Sequence, residues 1–280
     1  MILLLTEQIE EKIQKDLVGN FICGDYLKGV ENICKVLDGM YDAITEKKRI
    51  SYGRYTTIKV LAEKLFEEFE KANLPVVDIG ATILNSTNDY RTLGVGLGIL
   101  ALYGVEDYQC VLPYFESAAQ ADHWEPREYA QGLFRKIVKT HPAAIRPYLL
   151  EYVESDSCNL RRFVSETLRP VVENKWLYQD LEYSLSILRH LFKEAHPYPR
   201  TSVGNNLSDI ARRNPETVFQ LVAELVSMKD MNSYWIATRA CRNLVKKYPI
   251  RVMDVLGVDE YKYKNRIYTR SDYSQDATNN

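Results

Sequence analysis

The side chains in this sequence best suited to chemistry by type and spacing are arginines. Arg127, Arg135, Arg161, Arg162, Arg200, Arg239 and Arg242 recur through the second half of the chain. A guanidinium is permanently charged and carries a rigid fork of donors, so several gathered on one face would hold carboxylates or phosphates. Asn205 and Asn206 add two adjacent amides within YPRTSVGNNLSDIARRNP, residues 198–215. Such a pair is poor for helix propensity, because the side chains compete for backbone hydrogen bonds. It fits either a surface or capping role or contact with a ligand. Other chemistry is sparse. His123, His141, His190 and His196 show no metal-site spacing, so no metal and no cofactor are expected. The five cysteines are widely spaced without a CxxC pair, which fits reduced thiols in a cytoplasmic protein. The glycines of LGVGLGILALYG follow no strand, as a phosphate-binding loop would require.

The elements that must position these residues read as helices. In 198–215, Val203, Leu207, Ile210 and Ala211 fall at helical spacing and form a stripe to be buried. Arg200, Asn205, Asn206, Asp209, Arg212 and Arg213 occupy the other side. Three segments align without gaps: REYAQGLFRKIVKTHP from Arg127, RTSVGNNLSDIARRNP from Arg200 and YWIATRACRNLVKKYP from Tyr234. Each ends in polar or basic residues and a proline that launches the next helix, at Pro142, Pro215 and Pro249. A degenerate copy, RFVSETLRPVV, starts at Arg162, giving intervals of 35, 38 and 34 residues. That period, with a shared apolar stripe, indicates an all-α fold, an α-solenoid of HEAT-like repeats with its arginines on one concave face. Trp124, Tyr234 and Trp235 are expected in the core between repeats.

Residues 1–122 read as an N-terminal helical part, 123–257 as the repeats, and 258–280 as a mobile polar tail. In the first part a helical pattern over 6–48 is broken near Gly19 and Asn20, and Ile50–Tyr55 reads as a turn before a helix over 57–72. No stretch reads as a convincing strand. The 280 residues are 46% apolar, enough for a sizeable core. The net charge of −2 hides an asymmetry: residues 121–256 hold 20 Lys and Arg against 16 Asp and Glu, and the remainder holds 16 against 22. The opening MILLLTEQIEEKIQ lacks a basic leader and acquires charge at once, so it reads as a helix start. No apolar run is long enough to span a membrane. A monomer without membrane attachment is expected.

The second half also resembles a known superfamily, the HEAT-like alkylpurine DNA glycosylases, with its motifs closer to the AlkC branch than to AlkD. SVGNNLSDIARRNP is similar to that family's SVANNLNDI-type helix. NLRRFVSETLRP (159–170) resembles its VRRxxSEGxRP helix, and YWIATRACRNL (234–244) its last repeat. The likeness covers roughly residues 124–248.

The resemblance implies a partner, duplex DNA with alkylated bases, and a reaction, excision of cationic N3- or N7-alkylated purines. A cationic purine leaves without a general acid, and a carboxylate would stabilise the oxocarbenium-like sugar. By the same resemblance, Glu128 in PREYAQ is a carboxylate facing DNA. Trp176 and Asp180 correspond to a Trp/Asp pair beside the lesion, on one helical face if that segment is helical. Arg162, Arg169, Arg200 and Arg239 would hold DNA on the basic face, and Asn205 and Asn206 would reach its backbone or minor groove. There are departures: RPVVENKW stands where the family has RPRLPW, and EYAQGLF lacks the Arg-Pro of EFAVRPF. Other roles fit the same residues. Asp180 suits the N-cap of a helix over 181–193, Trp176 a packing anchor, and Glu128 a partner for Arg127 or Arg135. The alternative function is a non-catalytic HEAT-like scaffold that binds DNA or protein.

Overall fold

A computed structural model describes residues 4–273. The chain divides into two compact units, residues 1–142 and 143–280. In the first, α1 (Glu7–Lys12) runs through a π-helical turn (Ile13–Val18) into α2 (Gly19–Ile22), followed by α3 (Tyr26–Asp42) and α4 (Glu46–Lys71). The expected break at Gly19–Asn20 lies instead at Gly24, whose φ of 79° ends the helix as a left-handed glycine commonly does. The turn expected at 50–55 is absorbed into α4, which kinks where Gly53 leaves helical geometry. Next come α5 (Val76–Asn85), α6 (Tyr90–Tyr103), α7 (Leu112–Ala119) and α8 (Trp124–Thr140).

Helices α4, α6 and α8 pack in one layer, with α5 against α6 and α7 against α8. The glycines of α6 make that layer possible. A Cβ on Gly98 would lie 2.6 Å from the Ala62 Cβ, and one on Gly96 would lie 2.9 Å from the Gly80 carbonyl oxygen. The LGVGLG run is therefore a close helix-packing surface.

The second unit repeats the scheme. It contains α9 (Pro142–Val153), α10 (Cys158–Thr167), a 3₁₀ turn (Val172–Tyr178), α11 (Leu181–Leu188), α12 (Pro197–Ile210), α13 (Pro215–Ser227), α14 (Met231–Ala240) and α15 (Pro249–Leu256). Helices α10, α12 and α14 form one layer, and α13 bridges α14 and α15. Phe163, Val203, Leu207, Ile210 and Ile236 are buried where these helices meet. The all-α fold of HEAT-like repeats expected from the sequence is the fold observed, and Pro142, Pro215 and Pro249 each open a helix as expected.

The helix caps refine the repeat. His123, Ser157, His196 and Asp230 each cap a helix with their own side chains, at intervals of 34, 39 and 34 residues. Four residues after each cap stand Arg127, Arg161, Arg200 and Tyr234, so Arg161 rather than Arg162 is the counterpart of Arg127. Arg127 Nη1 donates to the carbonyls of Ala121 (2.7 Å) and Asp122 (2.8 Å). Arg161 Nη1 makes the same pair of bonds to Ser155 (2.7 Å) and Asp156 (3.0 Å).

The stretch expected to be a mobile tail is structured over 258–273. Gly257 ends α15 in the left-handed region, and β1 (Glu260–Tyr263) and β2 (Arg266–Thr269) form an antiparallel hairpin. Tyr261 and Tyr268, opposite each other, are buried, and Tyr261 donates its hydroxyl to the Thr238 carbonyl at 2.6 Å. A period of two over so few residues escapes a search for helical stripes. Residues 274–280 of the expected tail lie outside the described residues. Among those described, no helix is long and apolar enough to cross a membrane.

Candidate nucleic-acid interface

The basic cluster of the second unit is built on α12 and α14. Arg200, in the first turn of α12, places its guanidinium carbon 4.8 Å from the Trp235 ring centre. Arg239, one turn beyond Trp235 on α14, places its own at 5.4 Å. The half-buried indole thus orients two cations, each such contact being worth about 0.5–1 kcal/mol at an exposed site. The close approach depends on Gly204 in α12, where a Cβ would lie 2.8 Å from the Arg239 Cβ.

Asn205 ties in a third cation. Its Oδ1 accepts from Arg239 Nε at 2.9 Å and from Arg242 Nη2. Arg200 Nη1 donates to Asn232 Oδ1. The partners are neutral amides. Among the described residues, no carboxylate pairs with Arg200, Arg239 or Arg242, whereas Arg161, Arg169, Arg251 and Arg270 all have one. Arg200 Nε and Arg242 Nε are buried without a hydrogen-bond partner. Burial first, and then the neighbouring charge of Arg242, pull the Arg239 pKa below its ordinary value. Three cations without a counter-charge create a field that favours an incoming anion.

Beside it lies a neutralised network. Glu166 is buried, accepts from Arg169 Nη1 at 2.9 Å and from the Ser202 hydroxyl at 2.6 Å, and lies 3.9 Å from Arg162. Burial alone would raise its pKa, but Arg169, Ser202 and Arg162 outweigh burial and hold it low. Arg169 also reaches Asp209 at 2.6 Å. Burial disfavours that cation, yet the two carboxylates more than offset it and raise its pKa. Arg169 was expected to hold phosphate; here its charge is committed to two carboxylates. Arg162 lies 4.3 Å over the Tyr198 ring.

The two asparagines separate. Asn205 is at the basic surface, whereas Asn206 is fully buried and donates to the Ser165 carbonyl at 2.9 Å. The DNA contact expected of Asn206 is corrected: it lies three residues from Val203 and four from Ile210, within the apolar stripe, and its amide bridges α12 to α10.

Trp176 and Asp180 do not share a helical face. Trp176 sits in the 3₁₀ turn, donates its indole N–H to Asn174 Oδ1 at 3.2 Å and packs on Tyr183. Asn174 in turn fixes that turn by donating to the Thr167 carbonyl at 2.6 Å. Asp180 has left helical geometry, is exposed and caps α11 by accepting from the Tyr183 amide at 3.2 Å. Glu128 belongs to α8 of the first unit, where it is half-buried and accepts from Gln131.

Sequence reasoning missed Trp235 as a site residue, placing it in the core with Trp124 and Tyr234. Trp124 is 55% and Tyr234 37% exposed. The available signal was the four-residue step from Trp235 to Arg239. Among the described residues, no group of three His, Cys, Asp or Glu could hold a metal ion.

Comparison with known proteins places this architecture. The chain is 29% identical over 154 residues to the uncharacterized protein YhaZ of Bacillus subtilis, a match covering 49% of this chain and 42% of that one. It therefore spans less than half the length of that curated relative. Its fold is similar to that of Pseudomonas fluorescens alkylpurine DNA glycosylase AlkC bound to DNA containing an abasic site analog. That likeness has a TM-score of 0.58 at 19% identity and covers 87% of this chain and 69% of the other. It is similar also to AlkD2 from Streptococcus mutans, with a TM-score of 0.57 at 15% identity over 74% and 97% of the two chains. The near-equal scores do not favour the AlkC branch over AlkD. The model of the DNA alkylation repair enzyme family matches residues 56–244, well over half of the sequence. The chain belongs to the DNA alkylation repair enzyme family.

Proposed function

We propose that the chain is a DNA glycosylase that excises cationic N3- and N7-alkylated purines from duplex DNA. The observation that carries this reading is the group Arg200, Arg239 and Arg242, three cations held by Trp235 and Asn205 with no carboxylate partner among the described residues. Cations arranged in this way suit the phosphates of a duplex. Arg162, on the same layer of helices, would add a further contact. An alkylated purine already carries positive charge, so the base needs no proton in order to leave. What remains is to stabilise the sugar cation as the glycosidic bond breaks and to guide water to it. Asp180 is the proposed carboxylate, since it is exposed and capping occupies only one of its oxygens. Trp176 would pack on the deoxyribose. Glu128, on α8 of the first unit, is proposed separately as a carboxylate that faces DNA.

The experiment is release of 3-methyladenine and 7-methylguanine from methylated duplex DNA by the wild type and by Asp180→Asn. Release that falls in the variant supports the assignment. No release by the wild type at high enzyme concentration refutes the glycosylase reading.

One observation favours a second reading, DNA binding without catalysis. Asp180 serves a structural end as a helix cap and lies outside the turn that holds Trp176. Salt-dependent duplex binding with no base release would select that reading. Absence of duplex binding at low salt would leave a protein-binding scaffold.

A further inference from the structure

The hairpin β1–β2 stands against α14 and closes a groove of about 790 Å³. That volume falls within the range of about 300–1,000 Å³ common for small-ligand sites. Among the described residues, five cations line it: Lys229, Arg239, Arg242, Lys262 and Lys264. Among the described residues its one carboxylate is Asp230, whose Oδ1 accepts from the amide and hydroxyl of Ser233 at 2.8 and 3.0 Å. The walls are aromatic and apolar. Tyr234 and the strongly exposed Met231 rise from α14, facing Tyr261 and Tyr263 of the hairpin. The hydroxyl of Tyr261 anchors β1 to the Thr238 carbonyl, so the hairpin wall is fastened to the helix wall.

This combination selects for a ligand with both a flat face and a negative charge. A paired, stacked base in a duplex shows only its edge in a groove. An unpaired nucleotide offers a base face for a tyrosine and a phosphate for a lysine or arginine. Among the described residues, no Asn or Gln lines the groove to read a base edge. The groove continues from the basic cluster, because Arg239 and Arg242 belong to both. A strand leaving a duplex held on Arg200, Arg239 and Arg242 would meet the groove directly.

We infer that the groove between α14 and the C-terminal hairpin binds an unpaired nucleotide of single-stranded DNA continuous with the bound duplex, without sequence preference. Its base lies between the walls and its phosphate against Lys262 and Lys264. The inference rests on the duplex-binding part of the function proposed above.

The test uses the full chain, fluorescence anisotropy and two labelled probes: a blunt duplex, and the same duplex with a short single-stranded thymidine overhang. The overhang is expected to tighten binding about tenfold, the scale of one stacked base. Tyr263→Ala should remove that gain and leave blunt-duplex affinity unchanged, whereas Tyr263→Phe should retain it. Tyr263 is only half-buried, and its ring contacts are the ammonium groups of Lys246 and Lys264 at 5.3 and 5.7 Å, so the fold does not hinge on it. A Lys262→Ala/Lys264→Ala double variant should lower the salt slope on the overhang probe by about 0.7, the value for one single-strand phosphate. An overhang that adds nothing, or a Tyr263→Ala loss equal on both probes, overturns the inference while leaving duplex binding intact. If the blunt duplex itself fails to bind, the proposed function falls as well.

Discussion

Replacing Glu166 by Gln removes one charge from a buried network and leaves its shape in place. The wild-type carboxylate has Arg169 at 2.9 Å, the Ser202 hydroxyl at 2.6 Å and Arg162 at 3.9 Å, with its side chain only 5% exposed. Breaking a buried ion pair costs about 3–5 kcal/mol when the remaining charge has no other partner. Here Arg169 retains Asp209 and is 27% exposed, and Gln still accepts from Ser202. The expected cost is therefore smaller, about 2–3 kcal/mol. At about 3 °C per kcal/mol for a unit of this size, the melting temperature should fall by roughly 6–9 °C. The pH dependence gives a second readout. The Glu166 pKa is held below that of an unfolded glutamate, so its stabilisation is fully present above about pH 4.3 and is lost as pH falls through the folded value. The assay is urea unfolding of wild type and variant at pH 7, 4 and 3. The Gln variant should start lower and lose less on acidification. A Glu166→Gln protein within about 0.5 kcal/mol of wild type, with an unchanged acid limb, would refute the assignment of this network as a stability determinant.

Arg200→Gln and Arg239→Gln should each weaken duplex binding and reduce the slope of log affinity against log salt by about 0.9, as measured by anisotropy at several salt concentrations. Asp180 allows chemistry to be separated from capping. Asn caps as well as Asp, so Asp180→Asn should leave the melting temperature near wild type while lowering base release. Asp180→Ala should in addition cost about 1 kcal/mol in denaturant unfolding. In the first unit, Gly98→Ala would drive a methyl group into Ala62 at 2.6 Å across the α4–α6 contact. Destabilisation of about 1–3 kcal/mol by overpacking is expected in thermal melts.

Much of the architecture could be read from the sequence, because a solenoid writes the same apolar stripe several times. The launching prolines at 142, 215 and 249 were visible in this way. A one-residue error entered where the copy was weakest. Arg161 and Arg162 are adjacent, and the Ser157 cap together with the carbonyls that Arg161 grips reveals which is the repeat position. Adjacent residues on a helix point about 100° apart. That rotation also separates Asn205 at the surface from Asn206 in the core, and the spacing of Val203 and Ile210 was sufficient to tell them apart. The Arg169–Asp209 pair could not be read, since it joins residues 40 positions apart through tertiary packing. The role of Trp235 was missed although its four-residue step to Arg239 was present, because an aromatic at helical spacing reads as core whether or not its faces carry guanidinium groups. The W-x-x-x-D spacing misled for a local reason: Pro170 ends the regular helix, and the 3₁₀ turn that follows does not keep a four-residue period.

The single hydrogen that Gly204 carries in place of a side chain acts as a ruler. It sets how near α14 comes to α12, and Arg200 and Arg239 extend from those two helices to the same indole. The spacing of the two positive charges thus depends on the stem of Arg239 lying close against the bare backbone of Gly204. A larger residue at position 204 would leave every charged group present and alter only the gauge between them. Recognition of a regularly spaced polyanion would then change without the loss of any residue that touches it.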